Sequence, residues 1–203
     1  MTTFQQASQA QQIAAALPGR ATDGCALVAL DGRAGAGKST LAAVLAEQLG
    51  GPRRATIVNG DDFFVPRPVS QRLSMDTVEA YRRYFAWQEL RDEILAPLAH
   101  GKPARYAPYQ PGADATLRGE PRHLPAKGVV VVEGVLTARP ELAPFYDVTV
   151  LVDTPSDVCL HRLYARGGGP ERDAWITRWR TIEEHYLTTT RLHARVGLTV
   201  RGG

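Results

Sequence analysis

The segment Gly32-Arg33-Ala34-Gly35-Ala36-Gly37-Lys38-Ser39 fits G-x-x-x-x-G-K-[ST], a pattern that cradles phosphate groups. Residues 25–30 before it form an unbroken apolar run, which reads as a buried strand. Residues 41–49 after it carry apolar side chains at helical spacing. Glycines let backbone N–H groups close around phosphate oxygens without interference from a Cβ. The start of the following helix adds the positive end of a dipole. Lys38 supplies a mobile charge for the outer phosphates of ATP, and Ser39 a hydroxyl ligand for Mg²⁺. Gly32, Arg33, Ala34, Gly35, Ala36, Gly37, Lys38, Ser39 and Thr40 are the expected nucleotide-binding set. The competing reading is a glycine-rich turn without a ligand, and the flanking strand and helix argue against it.

The 203 residues suit a single domain with a substantial core. Hydrophobic content of 44% and charged content of 22% are those of an ordinary globular protein. A net charge of +3, with both signs interspersed, suits anionic ligands but is too weak to imply nucleic acid. Cys25 and Cys159 show neither metal-site spacing nor a disulfide framework, so a reducing, cytoplasmic setting is expected. No run approaches membrane-spanning length, and the N-terminus lacks the charged-then-apolar pattern of a signal. Monomer and homo-oligomer both stay open.

Outward from the loop, strands and helices alternate. Residues 3–17 predict a modestly amphipathic helix stopped by Pro18-Gly19, within an N-terminal helical segment over 1–24. Residues 55–58 predict a second strand, which delivers the chain to Asn59-Gly60-Asp61-Asp62-Phe63-Phe64. Pro66 and Pro68 then predict irregular backbone. The spacing over 77–99 predicts helix, in one piece or two. Residues 101–125 have no sustained period and read as a long functional loop on the acceptor side. The valine run 129–132 predicts a strand buried on both faces, ending in Glu133-Gly134. Residues 147–152 predict another strand, followed by a helix capped by Ser156 or Asp157. The glycine run 167–169 breaks that helix within an expected lid over 160–175, and 172–191 resumes as helix. Residues 198–200 read as a last strand. This order predicts an α/β fold with a parallel sheet of about five strands and helices on both faces.

Ligands in such sheets bind beyond the carboxyl ends of the strands. Asp61 and Asp62 follow the second strand, where a carboxylate can accept a proton from a hydroxyl attacking the γ-phosphorus. Paired acids in a loop also serve as caps or solvated turn residues. Glu133 can hold the Mg²⁺ shell, or satisfy a nearby helix start. Arg162, Arg166 and Arg172 around the glycine run can close over phosphates, or form a solvated helix face. Arg105, Tyr106, Tyr109 and Arg118 are candidates for an acceptor pocket, with loop packing as the alternative.

The phosphate loop, Asp61-Asp62-Phe63-Phe64, Trp87-Gln88-Glu89-Leu90-Arg91-Asp92-Glu93, Gly101-Lys102-Pro103-Ala104-Arg105-Tyr106 and the stretch 129–134 follow one another in an order that resembles the uridine kinase-like P-loop kinases. That group includes uridine-cytidine, nicotinamide riboside and pantothenate kinases and phosphoribulokinases. The resemblance spans residues 25–190 and implies the P-loop kinase fold with a five-stranded parallel sheet. It implies Asp61 as base, with Lys38, Arg162 and Arg166 as catalytic cations. It also implies Ser39 and Glu133 as metal-binding residues. Asp61, Asp62, Phe64, Arg105, Tyr106 and Tyr109 are the expected substrate-binding residues. Two departures stand out. Ala86 occupies the position where related sequences often carry a ribose-binding Asp before the Trp, with Asp76 as the substitute in a shifted register. Arg166-Gly167 stands where an Arg-Asp pair is common.

The expected activity is ATP- and Mg²⁺-dependent phosphorylation of a hydroxyl on a small metabolite, with a uridine-like nucleoside as the first acceptor to try. Next come sugars and pantothenate- or glycerate-like compounds. A nucleoside monophosphate kinase is the first rival, with Arg105 and Arg118 meeting the acceptor phosphate and Asp61-Asp62 opposing it. A nucleotide-binding switch or ATPase without a small acceptor is the second.

Overall fold

In the computed structural model, which describes residues 3–19, 24–110 and 117–202, the apolar runs pair into one five-stranded sheet. Its members are β1 (Cys25–Asp31), β2 (Ala55–Asn59), β5 (Gly128–Glu133), β6 (Val148–Asp153) and β7 (Leu198–Arg201). All neighbours are parallel, in the order β2-β5-β1-β6-β7. Two short strands, β3 (Ala104–Tyr106) and β4 (Arg122–Leu124), form a separate antiparallel pair.

Side chains alternate across the central strands, as period-two backbone requires. Ala26, Val28, Leu30, Val129 and Val131 join one core, whereas Leu27, Ala29, Val130 and Val132 join the other. Helices cover both. The first core receives Ala10 and Ile13 of α1 (Thr3–Ala15) and Leu41, Ala42 and Leu45 of α2 (Lys38–Gln48). After α3 (Val69–Ser74), the second core takes Ala80 of α4 (Thr77–Arg83). It is continued by α5 (Trp87–Glu89), a π-helical turn Leu90–Leu95 and α6 (Ala96–Ala99). Cys159 of α7 (Ser156–Ala165) belongs to the first core. Trp179, Ile182 and Tyr186 of α8 (Pro170–Thr189) and Leu192 of α9 (Leu192–Arg195) belong to the second.

Several expectations need correction. Ser156 and Asp157 do not cap α7: the cap position is Pro155, and the Ser156 hydroxyl instead accepts a hydrogen bond from Arg180 at 2.9 Å. Of the two readings of 77–99, the divided one holds: the helix is interrupted at 84–86 because that backbone bonds sideways. Val65 N–H donates to Tyr84 O at 3.0 Å and Ala86 N–H to Phe63 O at 2.8 Å. Within 66–76, irregular backbone gives way to α3 directly after Pro68. The 101–125 segment contains β3 and β4, and its residues 111–116 lie outside the described residues. The N-terminal helical segment over 1–24 contains α1, with residues 1, 2 and 20–23 outside the description. Phe4 of α1 is 85% exposed, so that helix packs through Ala10 and Ile13. No helix among the described residues is long and apolar enough to cross a membrane.

Candidate active site

Strand register assembles the site. Leu30 of β1 and Asn59 of β2 both pair with Glu133 of β5, so three strand ends finish level. The chain leaves β1 into the phosphate loop, β2 into Asp61, and β5 at Glu133 itself. These ends line one cleft of about 1240 Å³. That exceeds the roughly 300–1,000 Å³ of a single small-ligand pocket and leaves room for a nucleotide and an acceptor.

The loop takes its shape from backbone that only glycine tolerates well. Gly35 has φ +83°, and a Cβ there would stand 2.7 Å from the Cys159 carbonyl oxygen. Gly37, at φ +98°, begins α2, and a Cβ on it would meet no protein atom within 4 Å, which leaves the cradle open. Ala34, Gly35, Gly37, Lys38, Ser39 and Thr40 line the cleft. Gly32, Arg33 and Ala36 do not. Gly32 N–H donates to Asp31 Oδ1 at 2.6 Å, Arg33 pairs with Glu184 at 2.6 Å, and Ala36 is fully buried. Lys38 is buried, and its Nζ donates to the carbonyls of Gly32 and Arg33, both at 2.9 Å.

Ser39 Oγ donates to Glu133 Oε1 at 2.9 Å. A hydroxyl and a carboxylate in contact at the loop's end are oxygen donors of the kind Mg²⁺ prefers. No group of three or more His, Cys, Asp or Glu with metal-site geometry occurs among the described residues. Burial raises the Glu133 carboxyl above the ordinary range and nearby Asp61 adds to it, while Lys38 and the Ser39 hydrogen bond oppose the rise.

Adjacent acids have separate fates. The backbone after β2 turns through one 3-10 turn, Gly60–Phe63, started by Asn59, whose Oδ1 accepts from Asp61 N–H at 2.9 Å. That turn puts Asp61 on the cleft wall. The cleft walls displace enough water to raise the Asp61 carboxyl, with Lys38 pulling it down and Asp62 pushing it up. Asp62 points elsewhere. Its Oδ2 accepts from Arg122 at 2.6 Å and from the Tyr106 hydroxyl at 3.0 Å, tying the turn to the β3–β4 pair. Asp62, Arg105 and Tyr106 are outside the cleft lining, whereas Phe64 and Tyr109 are within it. Tyr109 donates its hydroxyl to Glu89 at 2.9 Å beneath Arg118, whose guanidinium lies 3.5 Å from the ring centroid. Arg118 also pairs with Glu89 at 2.9 Å.

Of the arginines near the glycine run, Arg166 and Arg172 line the cleft. Arg162 instead donates to Gly35 O at 3.1 Å and braces the loop from outside. Asp76 accepts from Glu79 N–H at 2.8 Å as the cap of α4, so it does not replace the acid missing at Ala86. Trp87 packs near the guanidinium of buried Arg139, 5.0 Å from the ring centroid, and does not line the cleft.

Three features escape sequence reasoning. Buried Asp31 accepts from Gly32 N–H, Ala138 N–H and the Tyr186 hydroxyl at 2.6–2.7 Å, pinning the loop's start to α8. Buried Glu183, also on α8, accepts from Ala34 N–H at 2.7 Å. Arg67, Arg72, Tyr84, Trp175 and Trp179 also line the cleft. Acids in a helix or arginines after prolines carry no local pattern that announces such roles.

No protein-family model matches the chain, and no curated protein matches it significantly. Solved structures match over nearly its whole length. A Bacillus stearothermophilus protein described as a possible uridine kinase superposes with TM-score 0.71 at 20% identity, covering 98% of this chain and 100% of that one. A protein from Silicibacter sp. TM1040, provisionally named a fructose transport system kinase, gives TM-score 0.65 at 25% identity, with 98% of each chain covered. A D-glycerate 3-kinase from Cryptococcus neoformans var. grubii gives 0.52 at 13%, covering 89% of this chain and 85% of that one. Together with the sheet order, these likenesses show a P-loop kinase fold.

Proposed function

We propose that this P-loop kinase fold carries an ATP- and Mg²⁺-dependent phosphotransferase acting on a hydroxyl of a small metabolite. One observation carries the reading: the Asp61 carboxylate lines the same cleft as Lys38, Ser39 and Glu133. A carboxylate beside the phosphate loop can take the proton of an acceptor hydroxyl, and the cleft has room for that acceptor beside a nucleotide. The names of three structural neighbours, a possible uridine kinase, a provisionally named fructose transport system kinase and a D-glycerate 3-kinase, lend further support.

In this reading Lys38 and the loop amides hold the outer phosphates, and Ser39 with Glu133 holds the cation. Bound Mg²⁺ would neutralise phosphate charge and fix the γ-phosphate's direction. Asp61 takes the proton of the acceptor hydroxyl as that oxygen bonds to the γ-phosphorus and ADP leaves. Arg166, with Arg172 beside it in the cleft, closes over the transferring group as part of a lid spanning the glycine run. Positioning and electrostatics carry the rate, since phosphoryl transfer asks little covalent chemistry of the protein.

A uridine-like nucleoside is the first acceptor to compare, followed by sugars and hydroxy acids. Among the described residues, the site offers a ribose no second carboxylate in the cleft besides Asp61 and metal-side Glu133. For a nucleoside monophosphate kinase, Arg105 and Arg118 do not supply the cations expected of them, because Arg118 pairs with Glu89 and Arg105 lies outside the cleft. The test is ATP consumption and product analysis with a panel of hydroxyl acceptors. Acceptor-dependent ADP release with a new phosphoester supports the reading. Full-rate hydrolysis that no acceptor alters contradicts it.

A further inference from the structure

Arg67 and Arg72 make part of the cleft cationic, and among the described residues its acids are Asp61 and Glu133. Arg67 precedes α3 and Arg72 lies within it, on the segment that follows Asp61, and both line the cleft. Among the described residues no carboxylate pairs with either, and the Nε of each is buried without a hydrogen-bond partner. The guanidinium of Arg72 covers the Trp175 ring at 4.8 Å, and Tyr84 packs against the same ring at 5.2 Å. A half-buried guanidinium without a counter-charge is costly unless a ligand supplies one.

The charges can be apportioned between two ligands. Lys38, Arg166 and Arg172 belong to the loop and the lid, where the nucleotide's phosphates go. Arg67 and Arg72 sit with Asp61, on the chain that meets the acceptor. Buried Tyr84 lines the cleft together with Arg67, Arg72 and Asp61, so base and cations face one space. A stacked nucleobase fits this part of the cleft poorly, because Arg72 already occupies a face of Trp175, while Trp179 packs 5.5 Å from that ring.

Resting on the phosphotransferase reading above, we propose that the acceptor carries a carboxylate or phosphate besides its hydroxyl, and that Arg67 and Arg72 hold this anion. The anion anchors the molecule across the cleft, and the anchoring turns the hydroxyl towards Asp61. Arginine suits the task because its planar fork meets either oxyanion with two parallel hydrogen bonds. The fixed negative end and the proton-accepting Asp61 lie at different points of the acceptor, so the two charges do not compete for one site.

The test compares acceptors that differ only in the anion: glycerate with glycerol, a hexose phosphate with the free hexose, and a nucleoside monophosphate with its nucleoside. Wild type with Mg-ATP is expected to favour the anionic member about tenfold or more in kcat/KM, and the carboxylate and phosphate pairs separate the two sources. Arg67→Gln and Arg72→Gln should each raise the acceptor KM about tenfold while leaving the ATP KM within about twofold. Arg72→Lys should recover part of the loss. Among the described residues neither arginine is ion-paired, and an unchanged melting temperature confirms that the variants fold. Preference for the neutral members, or a rise in ATP KM alone, overturns this inference and leaves the phosphotransferase reading standing. Transfer onto the phosphate of a nucleoside monophosphate, giving an anhydride, contradicts both. So does the absence of transfer to every acceptor.

Discussion

Asp61 and Asp62 are neighbours with the same side chain, yet only one faces the cleft. Replacing Asp61 with Asn keeps the shape and removes the base, so kcat should fall by about 10²-fold or more with ATP affinity nearly unchanged. Asp62→Asn removes a contact with Arg122, which is half exposed, so it should cost about 1 kcal/mol of stability or less and leave kcat within a few-fold. Thermal unfolding and steady-state kinetics of the two variants separate these roles. The pH profile gives a further check. Burial raises the Asp61 carboxyl, and a base must be ionised, so kcat/KM should decline with falling pH at a value above the usual aspartate range. Asp61→Asn should abolish that limb. At this scale Ser39, Lys38, Asp61 and Glu133 were legible because strand-loop motifs fix which residues leave the sheet at the ligand end. Asp62, Arg105 and Tyr106 were not, because a pairing 60 residues away in sequence, between Asp62 and Arg122, decides where that side of the turn points.

Among the elements, α8 does more than cover the sheet. Glu183 holds Ala34 N–H and Glu184 holds Arg33, so the helix sets the loop's outer curve. Glu183→Ala leaves a loop amide unpaired and should destabilise the protein by about 1–3 kcal/mol while raising the ATP KM. Burial raises the Glu183 carboxyl, so the folded state binds its proton more tightly than the unfolded chain does. Stability should therefore fall as pH rises from the ordinary glutamate range through the raised folded value. Glu183→Gln should flatten that slope, as melting temperatures across the window will show. Sequence periodicity found most helices and allowed 77–99 to be in two pieces, but not where it divides, since the division at 84–86 follows from backbone bonds to 63–65. It also missed β3 and β4, three residues each, whose pairing joins distant segments and leaves no local period. The apolar runs that became β1, β5 and β6 were legible because a strand covered on both faces must be apolar throughout.

At the scale of the whole molecule, β1 stands between β5 and β6, and the chain crosses to either side of it. The strand order reverses there, which opens a crevice at the carboxyl ends. The phosphate loop, Asp61 and Glu133 meet at that crevice because the register of β2, β5 and β1 brings their ends level. Lys38→Ala should weaken ATP binding and transfer together, since Lys38 lies at the centre of the loop and its charge also acts on Asp61 and Glu133. The phosphate-loop end of the cleft was readable from one motif. The rest of its lining was not, because Arg67, Arg72, Tyr84, Trp175 and Trp179 meet only in the folded chain. The central claim is that Asp61 activates an acceptor hydroxyl against a nucleotide held by the loop. It is tested most directly by following ATP by phosphorus NMR with the acceptor panel, for wild type and Asp61→Asn side by side. The account predicts ADP and a phosphoester in equal amounts from wild type, and transfer slowed about 10²-fold or more in the variant with ATP still bound. Wild-type transfer by Asp61→Asn would contradict it.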